Sequence, residues 1–402
     1  MKHLDNPPEP PEDKQPSTFS RRRFLTLAGS GLALAMHSLA GRTWASTEDR
    51  AAPRKQETLD YKIAQMLMIG FSGSTLQASN PVVRDVRDRG VGGVFLMDYN
   101  GAASGNITSP TQLKTLTAGL QDLASGWPLP LLVAVDQEGG QVARLKTRYG
   151  FPTTASQQYL GSRNDLGVTR SQAQSTARTL ASHGLNVNFA PVVDVNTNPR
   201  NPIIGSKGRS FSANPAAVSE HALEVIKAHR EQGVLCTLKH FPGHGSSTAD
   251  SHLGFVDVTD TWSEKELQPY RHIIGAGECD LVMTAHIFNS RLDPNHPATL
   301  SYRTITNLLR EQLGFWGVVL SDDMQMRAIT SHYSLQQALG LSISAGVDMI
   351  TMTPTRAYQA DLASHAIDII KGYVISGAIS QTRIEESYIR IKRLKERLFS
   401  RP

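Results

Sequence analysis

Eight short apolar runs recur along this chain, each followed by a polar or glycine-bearing turn and then a helix-like pattern. They are MLMIGF (66–71), GGVFLM (92–97), LLVAVD (131–136), NVNFAPVVDV (186–195), VLCTLKH (234–240), DLVMTAH (280–286), GVVLSDD (317–323) and DMITMT (348–353). The runs are apolar on both alternating faces, as expected of parallel strands covered on both sides. The segments between them, such as residues 215–233, carry helical periodicity. Regular alternation of strand and helix predicts an α/β fold, and eight units point to a (β/α)8, TIM-like barrel as a single catalytic domain. The competing architecture is a doubly wound open sheet. It calls for a glycine-rich phosphate loop after the first strand, and GFSGST (70–75) fits that template poorly.

In such a barrel the chemistry gathers at the C-terminal ends of the strands. Five of the eight ends here carry ionisable groups: Asp136, Asp194, the Lys239-His240 pair, His286, and Asp322 with Asp323. One aspartate at a strand end often just caps a helix. Five such ends on otherwise apolar strands would cost stability without a function.

The segment after the fifth strand, KHFPGHGSSTADSHLG (239–254), admits two readings. His240, His244, Asp250 and His252 could ligate a metal. However, Pro242, Gly243 and Gly245 make the stretch around the first two histidines a turn rather than a helix, so those rings need not converge on one ion. Metal-dependent barrels of the amidohydrolase type carry a His-x-His on the first strand, which MLMIGF lacks. No metal and no cofactor are therefore expected. The alternative is proton transfer. Asp250 lies two residues before His252, and a carboxylate bonded to imidazole fixes its tautomer and favours its protonated form. The bland counterpart is an Asx turn beside a solvated histidine. Spacing alone leaves these two even.

KHFPGHGSSTADSH, VDQEGGQVARL, GRSFS, MTAH and GVVLSDDM together resemble the motifs of family 3 glycoside hydrolases, in the single-barrel β-N-acetylglucosaminidase branch. The resemblance covers residues 61–397. It implies a retaining, exo-acting β-N-acetylhexosaminidase that removes terminal N-acetylglucosamine through a covalent glycosyl-enzyme, with Asp322 as nucleophile. It implies His252 as acid/base, oriented by Asp250, in place of a second carboxylic acid. It further maps Asp136, Arg144, Arg209, Lys239, His240 and His286 to substrate-contacting or supporting positions. Lys239 and Arg209 are expected to lower the pKa of Asp322, and His244 to shape the loop. The alternatives are a β-glucosidase or glycoside phosphorylase on the same barrel, a metal-dependent hydrolase, and a non-catalytic sugar-binding protein.

The N-terminus reads as an address. SRRRFL (20–25) resembles the twin-arginine export signature, residues 25–40 form a short apolar stretch, and TWAS offers cleavage after Ala45. The expected organisation is a disordered, signal-bearing segment 1–45 and a catalytic domain 46–402, working in the periplasm or outside the cell. Muropeptides, peptidoglycan or chitin fragments would be the substrates there. The net charge of +5 is spread along the chain without a basic stripe, which argues against nucleic acid as partner. A carbohydrate is the expected partner, with a monomeric enzyme and no stable membrane insertion after cleavage. The two cysteines, Cys236 and Cys279, are expected as buried free thiols. In the last helix, Thr382 and Glu385 are expected to form a capping box ahead of an apolar stripe of Ile384, Tyr388, Ile391 and Leu398.

Overall fold

A computed structural model describes residues 55–98, 105–353 and 361–399. The expected signal segment, residues 1–45, lies outside the described residues. All eight apolar runs contribute a strand: β1 (Leu67–Gly70), β2 (Gly93–Leu96), β3 (Leu132–Val135), β4 (Val187–Asn188), β5 (Leu235–Phe241), β6 (Leu281–Thr284), β7 (Val318–Leu320) and β8 (Ile350–Met352). They pair in parallel in the order β8-β1-β2-β3-β4-β5-β6-β7. The circle closes between β7 and β8 through the parallel bridge Leu320–Met349 and the N–H of Ser321, which donates to the Met349 carbonyl at 2.9 Å. The sheet is a barrel, which removes the exposed edges of an open sheet.

A helix follows each strand, including Pro110–Ala124 after β2, Leu166–Ser182 after β3, Pro215–Arg230 after β4 and Leu335–Ala345 after β7. Their starts follow from sequence. Ser109, Asp165 and Asn214 each take a first-turn backbone N–H on a side-chain oxygen. Ser334 and Gln337 form a reciprocal capping box.

β4 is shorter than the apolar run that contains it. Backbone bonds continue to Ala190, whose carbonyl accepts the Thr237 N–H at 3.0 Å; Pro191 has no N–H to give the ladder, and regular pairing is replaced by a single bridge between Val192 and Lys239. The last helix, Gln381–Phe399, buries Ile384, Tyr388, Ile391 and Leu398 as expected. Its cap differs from the expected one. Ser380 Oγ accepts the N–H of Arg383 at 3.1 Å, so Thr382 lies inside the helix, and Glu385 reaches out to Lys62. The helix is fastened to the start of β8 by Asp348, which is fully buried and receives Arg310 at 2.7 Å, Arg390 at 3.1 Å and Arg383 at 3.4 Å. Cys236 and Cys279 are free; Cys236, inside β5, is buried as expected, whereas Cys279, just before β6, is only partly buried. Among the described residues, no helix is long and apolar enough to cross a membrane.

Candidate active site

A cavity of about 480 Å³ opens at the carboxyl ends of the strands. Its lining includes two sets of residues from the barrel strands, joined by loop residues such as Arg144, Arg209, Asp250 and His252. Phe95 of β2, Phe189 just past β4, Met283 of β6 and Thr351 of β8 form a largely apolar layer drawn from the even-numbered strands, with Phe95 and Phe189 in ring contact at 5.0 Å. Asp136 after β3, Lys239 and His240 of β5, and Asp322 after β7 come from odd-numbered strands. Alternate strands of a (β/α)8 barrel fill its interior in such layers. In this chain the layers separate apolar from ionisable groups.

The charged groups are paired in a definite order. Arg209 binds Glu138 through two parallel bonds, Nε to Oε2 and Nη2 to Oε1, both 2.7 Å. Lys239 Nζ lies 2.6 Å from Glu138 Oε1 and 2.7 Å from Asp136 Oδ1. Arg144 reaches Asp136 at 3.2 Å and Asp98 at 3.6 Å. Burial alone would raise the pKa of Glu138, but Arg209 and Lys239 outweigh it and bring the carboxyl down to about 2. Asp136 is likewise held below its ordinary value, burial being overcome by Lys239 and Arg144.

His240 is committed on both ring nitrogens. Arg209 Nη2 approaches Nε2 at 3.2 Å as a donor, so Nδ1 carries the proton and gives it to Asp194 Oδ2 at 2.7 Å. Asp194, fully buried, also accepts the backbone N–H groups of His240 and His244. His286 is buried and does not line the cavity. Its Nε2 lies 3.0 Å from the Asp323 carbonyl and its Nδ1 2.8 Å from Thr299 Oγ1, so it steadies the β7 loop from behind.

The two aspartates after β7 have different surroundings. Asp323 accepts the N–H groups of Gln325 and Thr353 at 3.0 Å each, and the Thr353 hydroxyl. Burial raises its pKa to about 6. Asp322 accepts its neighbour's N–H at 2.8 Å and is otherwise presented to the cavity. Its pKa is depressed. Burial pushes it up, but the neighbouring imidazoles of His286, His240 and His252 outweigh that, with help from the Asp323 N–H. The expected agents, Lys239 and Arg209, are instead spent on Asp136 and Glu138, whose carboxylates stand closer to them.

The loop after β5 brings in the third element. Asp250 Oδ1 accepts both the backbone N–H of His252 at 2.9 Å and its ring Nδ1 at 2.8 Å. The Asx turn and the acid–imidazole pair, alternatives at the level of spacing, are one structure here. Desolvation lowers the pKa of His252, but the bond to Asp250 and the charges of Asp322 and Asp250 prevail and raise it. The bond to His252 carries Asp250 down to about 2. His244 is buried and spans the loop, with Nδ1 2.7 Å from Ser247 Oγ and Nε2 3.2 Å from Ser251 Oγ. Burial lowers its pKa to about 4, so it is a neutral strut. The root of the loop admits only glycine at Gly245, where a Cβ would sit 1.8 Å from the Val195 carbonyl oxygen. Among the described residues no group of three or more His, Cys, Asp or Glu side chains is arranged to hold a metal ion.

Three groups that organise the site were not singled out as site residues from sequence. Glu138 stands inside VDQEGGQVARL two residues past Asp136. Asp194 is visible as a strand-end acid. Asp98, two residues past β2, has a fully buried side chain and draws Lys146 at 2.6 Å, Arg148 at 3.2 Å and Arg144.

A family model, the glycosyl hydrolase family 3 N-terminal domain, matches residues 58–394. The chain is 36% identical over 314 residues to beta-hexosaminidase A of Pseudoalteromonas piscicida, a match covering 73% of this chain and 52% of that protein. It is 32% identical over 343 residues to beta-hexosaminidase LpqI of Mycobacterium tuberculosis, covering 83% of this chain and 82% of LpqI. Among solved structures, a family 3 beta-N-acetylglucosaminidase from Paenibacillus sp. FPU-7 superposes with a TM-score of 0.77 at 34% identity, covering 85% of this chain and 62% of that one. The chain thus spans about half of the first relative and most of the second.

Proposed function

We propose, since this chain belongs to glycosyl hydrolase family 3, that it hydrolyses terminal β-linked N-acetylhexosamine residues with retention of configuration. The observation that carries the reading is that one cavity is lined both by Asp322, a carboxylate kept ionised, and by the Asp250–His252 pair. In the first step Asp322 attacks the anomeric carbon. The bond from that carbon to the aglycone oxygen breaks, a bond to the Asp322 carboxylate oxygen forms, and His252 gives its proton to the departing oxygen. In the second step His252 takes a proton from water, whose oxygen displaces Asp322 and frees the sugar. Retaining glycosidases commonly use a second carboxylic acid as donor. Here the other acids are spoken for: Asp136 by Lys239 and Arg144, Glu138 by Arg209, and Asp323 by Thr353 and Gln325.

The similarity to proteins named beta-hexosaminidase and beta-N-acetylglucosaminidase supports N-acetylglucosamine as the sugar. Lys239, Asp136, Arg144 and Arg209 are suited to bind its hydroxyls through charge-assisted bonds. A panel of nitrophenyl β-glycosides, with and without phosphate, tests this reading. The N-acetylglucosaminide should turn over fastest and yield free sugar. Preference for the glucoside, or a sugar phosphate as product, would replace it with one of the alternatives.

The SRRRFL segment supports export of the folded enzyme, and hence peptidoglycan fragments or chitooligosaccharides as substrates outside the cytoplasmic membrane. Replacing Arg21 and Arg22 by lysine should leave the precursor in the cytoplasm. Unchanged export in a strain lacking the twin-arginine translocase would remove this part of the reading.

A further inference from the structure

The loop that carries Asp250 and His252 is gripped at its root by a carboxyl group that takes no part in the steps above. Glu266, in the short helical turn Glu264–Leu267, is fully buried. Its Oε2 accepts the N–H of Gly245 at 2.7 Å and its Oε1 the N–H of Ser246 at 3.1 Å. Those are the first two residues after His244. On the preceding residues, Asp194 accepts the N–H groups of His240 and His244. Two buried acids from two other loops therefore hold successive backbone amides of one segment. The fit leaves no slack: Gly243 has φ +118°, and a Cβ there would lie 2.4 Å from the Glu266 Cβ. From this root, His244 ties Ser247 and Ser251, the residues that bracket Asp250.

Burying a carboxyl group is costly, and burial together with the Asp194 charge raises the pKa of Glu266 to about 8. An apolar side chain would fill the same space without that cost, but it would leave two buried amides without acceptors. A carboxyl group is suited to take two adjacent N–H groups at once, and so to fix the peptide planes of Gly245 and Ser246.

We propose that Glu266 is a positioning residue for the acid/base step. By fixing the Gly245–Ser246 backbone it sets the approach of the His252 imidazole to the cavity. The inference rests on the reading of His252 as the acid/base, so its test includes both residues.

Glu266→Gln preserves size and one acceptor oxygen, but its amide NH2 has no lone pair for the second N–H, which either oxygen of the carboxyl group offers whether ionised or protonated. The measurement is kcat/KM over a leaving-group series for the wild type, Glu266→Gln, His252→Ala and the double variant, with Tm recorded for each. Glu266→Gln should lose about tenfold on poor leaving groups, a fraction of the roughly 10²–10⁴-fold that a positioned acid/base supplies. It should lose little on a dinitrophenyl aglycone, and the double variant should be no slower than His252→Ala alone. Equal loss on good and poor leaving groups, or multiplied losses in the double variant, would reduce Glu266 to a structural residue. If His252→Ala itself shows no leaving-group dependence, the acid/base reading and this inference fall together. If only Glu266→Gln lacks it, this inference falls alone. Should Glu266→Gln not fold, Glu266→Asp, which withdraws the carboxyl by one methylene, is judged by the same pattern.

Discussion

His252 Nδ1 lies 2.8 Å from Asp250 Oδ1, the same oxygen that accepts the backbone N–H of His252 at 2.9 Å. One atom thus fixes both the turn and the ring, and leaves Nε2 as the imidazole nitrogen free to exchange a proton with substrate. The His252 side chain keeps 55% of its surface exposed, and its pKa is raised, partial desolvation by the cavity wall being outweighed by the bond to Asp250 and the charge of Asp322. Its acid form is therefore fully present below the ordinary histidine value and is lost as pH rises through the raised one. That titration sets the basic limb of the kcat/KM profile on substrates with poor leaving groups. Asp250→Asn keeps an oxygen for the turn but removes the charge, and should shift the basic limb to lower pH. A limb that stays in place would detach Asp250 from the proton transfer.

The Glu138–Arg209 fork is buried and shared with Lys239. Removing one member of a buried pair strands the other's charge, at a cost of about 3–5 kcal/mol. Glu138→Ala should show a loss of that order in denaturant unfolding. Arg209→Lys keeps the charge but not the planar fork, and should lose a smaller part of the stability. Unchanged stability with lysine would show that charge alone matters at this position.

Lys395 is fully buried, and its Nζ donates to two neutral acceptors, Gln65 Oε1 and the Gly92 carbonyl, at 2.7 Å each, with no carboxylate paired to it among the described residues. Burial lowers its pKa to about 7. Between that value and the ordinary lysine value, the unfolded chain holds a proton that the native state has released. The lysine therefore makes native stability rise with pH, by up to about 1.4 kcal/mol per pH unit. Unfolding free energies at about pH 7 and about pH 9.5 should differ more in the wild type than in Lys395→Met. An identical pH slope in the two proteins would exclude a buried, neutral Lys395.

Activity should survive prolonged exposure to a chelator. The rings of His240 and His244 are engaged by Asp194, Arg209, Ser247 and Ser251, which leaves their nitrogens unavailable as ligands. Loss of activity with chelator and its return with zinc would contradict this.

The barrel was legible because each strand is buried on both faces and so appears as an apolar run. The misjudged end of β4 reflects a local rule, the missing N–H of Pro191, overridden in the reading by the apolar residues beyond it. Asp322, Asp250 and His252 stood out through motif and spacing. Glu138 and Glu266 did not, because their importance lies in contacts with Arg209 and with the Gly245–Ser246 amides, which no local pattern announces. The cap of the last helix falls to Ser380 rather than Thr382 because two capping candidates lie within three residues, and the sequence pattern fits both. The source of Asp322's low pKa was misassigned for a related reason. Counting cations near a site does not reveal which carboxylates stand closer to them.

The central claim is that Asp322 and His252 divide the reaction between them, and pre-steady-state kinetics on a dinitrophenyl N-acetylglucosaminide tests it most directly. Asp322→Ala should abolish turnover, because no nucleophile remains. His252→Ala should still form the glycosyl-enzyme, since this leaving group departs without a proton, but should lack the base that activates water. A burst of dinitrophenolate followed by slow turnover, accelerated by added azide, is the predicted result. No burst, no rescue by azide, and the same loss on good and poor leaving groups would contradict the account and remove His252 from the chemistry.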